Sequence, residues 1–186
     1  LAGGAAQVFA SGLLGGTPAF GLYAAFPNGT VAALPLSPTA RVQVIHNSPS
    51  PTVDVYLGNT RLIDDFEFRT ATPFVDVLAD RNINIGIALS NSTSAADAIA
   101  TFPVSLPAGS TSVVYASGIV GQSPAFTLIP VAGQESAADP ANVDVNVFHG
   151  SPDAPAVDVD AVYAVDDLID NLAYGNATGY VALAPA

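Results

Sequence analysis

Short runs in which every second residue is apolar fill the middle of the chain. In the clearest run, Ile83, Ile85, Ile87 and Leu89 alternate with less apolar residues, which is the period of a β-strand with one buried face. The other runs are Val42–Val44, Val53–Leu57, Val75–Val77, Val113–Tyr115 and Phe126–Leu128. Pro and Gly residues separate the runs and indicate turns. Seven to nine short strands within roughly 100 residues predict an all-β protein, an antiparallel Ig-like β-sandwich.

Several stretches of the chain occur twice, 103 to 106 residues apart. The segment Phe9–Phe20 returns as Tyr115–Phe126 with 7 of 12 positions identical. His46-Asn-Ser-Pro returns as His149-Gly-Ser-Pro, and each copy is followed by Val-Asp-Val. A third matching pair lies further along each copy. Similarity at a nearly fixed period predicts structural units that follow one another along the chain.

The repeat places one complete sandwich unit at residues 40–139. Residues 1–39 match the C-terminal part of such a unit, and residues 140–186 match its N-terminal part. Together the two partial units are complementary, except that they lack a counterpart of residues 81–106. The chain is therefore expected to begin and end within a domain, as a fragment of a longer array or as a permuted copy.

The stretch His149-Gly-Ser-Pro-Asp-Ala-Pro-Ala-Val-Asp-Val159 resembles the opening motif of the family called domain of unknown function 4397. The copy that begins at His46 and the later string Leu172–Val181 are similar to the same family. The resemblance implies an exported, often tandemly repeated bacterial or archaeal surface domain of sandwich type, and it implies no activity. The first copy departs from the motif, because Ser50 stands where the second copy has Asp153.

The charge of the chain limits its partners. The net charge of −12 arises from 16 acidic and 4 basic residues, with no Lys. Such a surface repels nucleic-acid phosphates and anionic lipid headgroups, so we expect no nucleic-acid partner. No apolar run reaches the ~20 residues of a spanning helix, so no membrane insertion is expected. Without Lys and Cys the chain cannot form Lys–Asn cross-links, disulfides or thiolate metal sites.

The two histidines allow a catalytic and a structural interpretation. In the catalytic one, each histidine is a base for the serine two residues later, and the aspartate of Val-Asp-Val orients it. The residues concerned are His46, Ser48 and Asp54 in the first copy and His149, Ser151 and Asp158 in the second. In the structural one, imidazole and hydroxyl bind the backbone of the turn. No nucleophile elbow surrounds these residues, so the structural interpretation is favoured and no catalytic residue is assigned.

A cluster of acidic residues near the C-terminus is a candidate source of Ca²⁺ ligands. Its members are Asp153, Asp158, Asp160, Asp166, Asp167 and Asp170. Calcium takes six to eight oxygen ligands, but the chain has no Asp-x-Asp-x-Asp-Gly loop. Alternate aspartates such as Asp158 and Asp160 are also typical of the solvated face of a strand. We therefore expect no cofactor, and Ca²⁺ stays an alternative without named ligands.

Aromatic residues at corresponding repeat positions are candidates for a carbohydrate platform, but no sugar site is assigned. The aromatics at corresponding repeat positions are Phe20, Phe126, Phe68, Phe74, Tyr174 and Tyr180. On strands such residues more often pack in a core than form a sugar platform, so core packing is favoured. The sequons at Asn28, Asn91 and Asn176 would permit N-glycans in an exported protein.

The distribution of charge identifies the segment that needs a partner. Residues 1–40 contain no charged residue, whereas residues 82–186 carry ten acids and no Lys or Arg. A loose, uncharged, strand-forming segment would expose apolar area and unpaired strand edges. We expect residues 140–186 to cover it, supplied by the same chain, by a neighbouring subunit through strand addition, or within a longer polypeptide.

The leading hypothesis is a structural subunit or module of an extracellular filament or surface stalk, in which copies of the chain share strands between sandwich units. The alternative is a cell-surface adhesive module that binds carbohydrate or Ca²⁺. An enzyme is the third hypothesis, and it depends only on the His-Ser-Asp sets.

Overall fold

The chain folds into short β-strands, as the alternating apolar residues predict. The computed structural model describes residues 4–35, 37–161 and 165–185, with the backbone alone for residues 165–167. The strands of these residues are β1 Gln7–Ser11, β2 Gly21–Ala25, β3 Val31–Ala33, β4 Thr39–His46, β5 Val53–Leu57, β6 Thr60–Phe66, β7 Val75–Leu78, β8 Ile83–Leu89, β9 Ala98–Val104, β10 Thr111–Ser117, β11 Thr127–Ala132, β12 Val143–Phe148, β13 Val157–Ala161, β14 Val165–Leu172 and β15 Ala177–Leu183. A 3-10 turn, Ala95–Asp97, precedes β9. Contacts divide the chain into two compact units, Leu1–Ser37 and Pro38–Ala186.

The first unit is a three-stranded antiparallel sheet in the order β1-β2-β3. The loop between β1 and β2 turns at Gly12, where φ is +93° and a Cβ would lie 2.1 Å from the carbonyl oxygen of Ala19. Only glycine fits such a close approach at a positive φ. Among the described residues of this unit, Ala24 alone is buried.

Strands β4 to β11 form a sandwich of two four-stranded sheets, which confirms the predicted fold class. One sheet has the order β11-β10-β4-β7 and the other has the order β6-β5-β8-β9. The ladder between β4 and β10 is parallel, whereas the other ladders among the described strands are antiparallel. The sequence predicted an antiparallel sandwich. Parallel neighbours need a long crossover, and here strands β5 to β9 provide it.

The core of this sandwich lies between the two sheets. The buried cluster of the first sheet and its neighbouring loops is Ala40, Val42, Ala79, Leu106 and Val114. The buried cluster of the second sheet is Val53, Val55, Phe66 and Ile87. Val44 contacts both clusters. A cavity of about 640 Å³, lined mainly by Val, Ile and Leu, also lies between the sheets.

The C-terminal strands form two antiparallel ribbons, β12 with β15 and β13 with β14. They repeat the pairing of β4 with β7 and of β5 with β6 in the complete sandwich. Val145 faces Val181 as Val42 faces Val75. The repeated sequence therefore folds with the same strand register in both places.

Candidate assembly surface

The hairpin β1–β2 repeats the hairpin β10–β11 in register but not in burial. Val8 faces Ala24 as Val114 faces Pro130. Val114 is 7% exposed, because β4 flanks its strand and its side chain packs in the core. Val8 is 62% exposed. In the first unit, the side chain of β1 that corresponds to a buried core residue of β10 is therefore exposed.

Five further large apolar side chains of this hairpin are exposed. We call the whole set the hairpin surface; its members are Val8, Phe9, Leu13, Leu14, Phe20 and Leu22. Phe9 also stacks on Tyr23 with ring centroids 5.8 Å apart. The expectation of core packing is wrong for Phe20, because no second sheet of its own unit covers it among residues 4–35. A cluster of exposed apolar residues of this kind marks an interaction surface.

The C-terminal ribbons also expose residues whose counterparts in the complete sandwich are buried. Val143 is 53% exposed, whereas Ala40 at the corresponding position is 1% exposed. Asp158 is exposed, whereas the corresponding Asp54 is completely buried. The difference arises because β5 lies between β6 and β8, while the described partner of β13 is β14 alone. The ribbons thus have the edges and apolar positions of an unfinished sandwich.

Side-chain contacts join the complete sandwich to the ribbons. The rings of Tyr115 and Phe148 stack with centroids 3.9 Å apart and planes inclined by 12°. The Asn47 side-chain amide donates to the Gly150 carbonyl at 2.8 Å. The Tyr180 hydroxyl accepts a hydrogen bond from the Gln134 backbone at 2.9 Å. These contacts link one sandwich to the beginning of the next by aromatic stacking and hydrogen bonds.

Both histidines hydrogen-bond the turn that follows them, as the structural interpretation predicted. His46 Nδ1 accepts from the Ser48 backbone at 3.3 Å, and Nε2 lies 3.2 Å from the Pro51 carbonyl oxygen. A carbonyl oxygen can only accept, so Nε2 carries the proton and the ring is neutral. Burial lowers the pKa of His46 below its ordinary value, although the bond to Pro51 opposes this shift. His149 has the same arrangement, with Nε2 2.8 Å from the Pro155 carbonyl oxygen.

The serines of the two catalytic candidates bond to other groups. Ser48 Oγ donates to the Ser50 carbonyl at 3.2 Å. In the second copy, Ser151 Oγ donates to the Asp153 carboxylate at 3.2 Å. Both hydroxyls therefore hydrogen-bond to groups within their own turns.

Asp54 belongs to a buried polar network that the sequence did not reveal. Its carboxylate accepts from the Asp65 backbone at 3.0 Å, from the Ser92 hydroxyl, and from Arg61 Nη1 at 3.3 Å. Tyr56 extends the network, because its hydroxyl lies 2.8 Å from Ser92 Oγ. Burial opposes ionisation of Asp54, but these hydrogen bonds outweigh it and hold the pKa of Asp54 below its ordinary value. Only the first copy has an arginine here, since Asp167 replaces Arg61 in the second.

The family described as Domain of unknown function (DUF4397) matches residues 40–160. The chain belongs to the DUF4397 family. The match spans the complete sandwich and reaches β13 in the ribbons. Neither the curated proteins nor the solved structures that were compared with the chain include a match.

Three aspartates of the DUF4397 sandwich lie close together, and they are not members of the acidic cluster that the sequence suggested. Among the described residues, Asp54, Asp64 and Asp65 bring carboxylate oxygens within 4.8 Å of one another. Arg61 already supplies positive charge there, with Nη1 2.7 Å from Asp64. Of the suggested cluster, Asp158 accepts from the Asn171 backbone at 2.8 Å, and the side chains of Asp166 and Asp167 lie outside the described residues.

The remaining aromatics of the DUF4397 sandwich have structural contacts. Phe126 packs on the second core cluster, and the Arg69 guanidinium lies 4.8 Å from the Phe68 ring centroid. Phe74 is half-buried. The Tyr174 hydroxyl lies 3.2 Å from Ser117 Oγ. Phe126 therefore packs against the core as expected, whereas Phe68 and Tyr174, like Phe74, are half-buried.

The sequon asparagines Asn28, Asn91 and Asn176 are all exposed. Within the part of the chain that the structure describes, no helix has the length and apolar character needed to cross a membrane.

Proposed function

We propose that this chain is a structural module of an extracellular filament or surface stalk, built from sandwich units that share strands. The observation that carries the proposal is the exposure of Val8, 62% in the first unit against 7% for its counterpart Val114. A strand whose sequence and register belong to a sandwich core needs a partner sheet. A copy of this chain carries that partner, since its ribbons have the complementary open edges.

The contacts between the complete sandwich and the ribbons also support a structural role. Tyr115 stacked on Phe148 and Asn47 bonded to Gly150 link consecutive units through short contacts. Units held in this way would transmit force along the chain, which is what a stalk or filament requires. Export to the cell surface agrees with the exposed sequons at Asn28, Asn91 and Asn176.

Energetics predict an assembly that depends on concentration. Complete burial of a Val, Leu or Phe side chain gives roughly 1.5–3 kcal/mol, whereas association costs about 4–15 kcal/mol in lost freedom. Two or three side chains give roughly 3–9 kcal/mol in total, which is similar to that cost and leaves little net affinity. The whole hairpin surface and a new β-ladder are needed, so dilution should separate the copies.

Light scattering and electron microscopy of the 186-residue chain test this function. We expect multiples of 18.7 kDa that grow with concentration into filaments. The Val8→Asp variant buries a charge in the interface and should weaken association roughly tenfold or more. Asn28→Asp is the matched control, because Asn28 is exposed in the turn between β2 and β3, outside the hairpin surface, and it should assemble like the unmodified chain.

Monodisperse 18.7 kDa particles at every concentration would contradict the proposal. Equal assembly of the Val8→Asp and unmodified chains would show that β1 is not the contact.

A further inference from the structure

We infer that β1 of one copy pairs in parallel with β12 of a second copy, with Val8 opposite Val147. The inference rests on the proposed function and names its partner strand, its direction and its register.

The complete sandwich is the template for this ladder, because three of its other ladders recur in the partial units; the ladders of β8 have no counterpart among the described strands there. Val8 faces Ala24 as Val114 faces Pro130. The two ribbons likewise reproduce the registers of β4 with β7 and of β5 with β6. The ladder of β4 with β10 is different. The counterpart of β10 is β1, in the sheet of the first unit, and the counterpart of β4 is β12, in one of the ribbons, so the two counterparts lie in separate sheets.

The register follows from the repeat spacing. In the template, Val114 of β10 faces Val44 of β4 in parallel. The repeat relates β10 to β1 by 106 residues and β4 to β12 by 103 residues. Val114 and Val44 thus become Val8 and Val147. Within β1 the pairs are Gln7–Asn146, Val8–Val147, Phe9–Phe148 and Ala10–His149, and Ala5 and Ala6 ahead of β1 fall opposite Asp144 and Val145.

The chemistry of the paired side chains agrees with this register. Gln7 falls beside Asn146, so an amide meets an amide, and Phe9 falls beside Phe148, so an aromatic ring meets an aromatic ring. Val8 and Val147 take the places of two valines that pack in the sandwich core. A shift by one residue would place Val8 opposite Asn146 or Phe148, whose side chains belong to the other face of the strand.

The distribution of charge favours a head-to-tail contact between two copies. The partial unit that carries β1 lies within the uncharged residues 1–40, whereas residues 82–186 carry ten acids and no Lys or Arg. Two acidic C-terminal parts repel each other, but an uncharged hairpin meets an acidic ribbon without repulsion. A head-to-tail contact that does not close on itself propagates into a filament.

Disulfide trapping tests the register directly, because the chain has no cysteine of its own. Opposite residues of neighbouring strands lie within the Cα separation that a disulfide accepts. We therefore expect the Val8→Cys/Val147→Cys variant, after mild oxidation, to give a ladder of multiples of 18.7 kDa on a non-reducing gel, which collapses under reductant. The Gln7→Cys/Asn146→Cys variant is a second in-register pair on the opposite face and should give the same ladder.

The controls use the same cysteines out of register or alone. Val8→Cys/Asn146→Cys places the two thiols on opposite faces and should cross-link roughly fivefold less or worse. Each single variant should give no ladder. Light scattering of every variant, measured on the same samples, shows whether multimers are present.

Each other result overturns the inference in a recognisable way. A cross-linked monomer that migrates faster than the reduced chain would mean that β1 binds β12 of its own chain. Dimers of the Val8→Cys single variant would mean that β1 pairs with β1. Multimers without cross-links in either in-register variant would exclude this register but leave the proposed function intact, whereas monomers throughout would remove both.

Discussion

Asp54 and Asp158 occupy the same repeat position in two environments, and this contrast gives a prediction for single residues. Asp54 is completely buried and accepts hydrogen bonds from Asp65, Ser92 and Arg61. Removing a buried acceptor leaves its donors unsatisfied, which costs roughly 1–3 kcal/mol. We expect Asp54→Ala to lower the free energy of unfolding by that amount in denaturant titrations. Asp158→Ala, at the exposed position, should cost less, and equal losses would contradict the network's importance.

The pKa of Asp54 fixes the direction of the pH dependence in the same experiment. Because the native pKa lies below the ordinary value, the carboxylate stabilises the fold above about pH 4, the unfolded value. That contribution is lost as the pH falls from there through the lower native pKa. Asp54→Asn should therefore lose less stability on acidification than the unmodified chain does.

The burial of Asp54 could not be predicted from the sequence around it. The same Val-Asp-Val string surrounds Asp158, which is exposed. What differs is β8, which pairs along β5, and Arg61, which the second copy replaces by Asp167. The turn contacts of His46 and His149 were predictable, since they depend on residues no more than six positions away.

At the scale of the elements, hydrogen exchange should identify the strands that assembly protects. β1 is an edge strand with five exposed residues, and β12 has β15 as its described partner. A new ladder between them would slow exchange of their backbone amides as the protein concentration rises. The strands β5 and β8 already lie inside a sheet, so we expect no change in their exchange.

Uniform protection of all strands, or protection of β13 without β1, would contradict the proposed pairing of β1 with β12.

The elements also show where prediction from alternation ends. Alternating valines and isoleucines identify strands such as β4, β5 and β8, and the repeat relates β1 to β10. The period of two says nothing about the direction of neighbours, so the parallel ladder between β4 and β10 could not be predicted. It depends on a crossover of five strands, which is a property of the whole topology. The inferred contact of β1 with β12 uses this parallel ladder, so the sequence alone could not supply it.

At the scale of the whole molecule, the net charge of −12 predicts how assembly responds to salt. Copies with the same sign of charge repel, and the screening length falls from ~30 Å at 0.01 M salt to ~8 Å at 0.15 M. Association measured by light scattering should therefore strengthen as NaCl rises over this range. The Asp139→Asn/Asp153→Asn variant removes two exposed acids from the C-terminal part, so it should associate more tightly at low salt and respond less to NaCl. Association that weakens with salt would mean that opposite charges meet across the contact. That result would contradict the proposed contact, because the hairpin is uncharged and the ribbon is acidic.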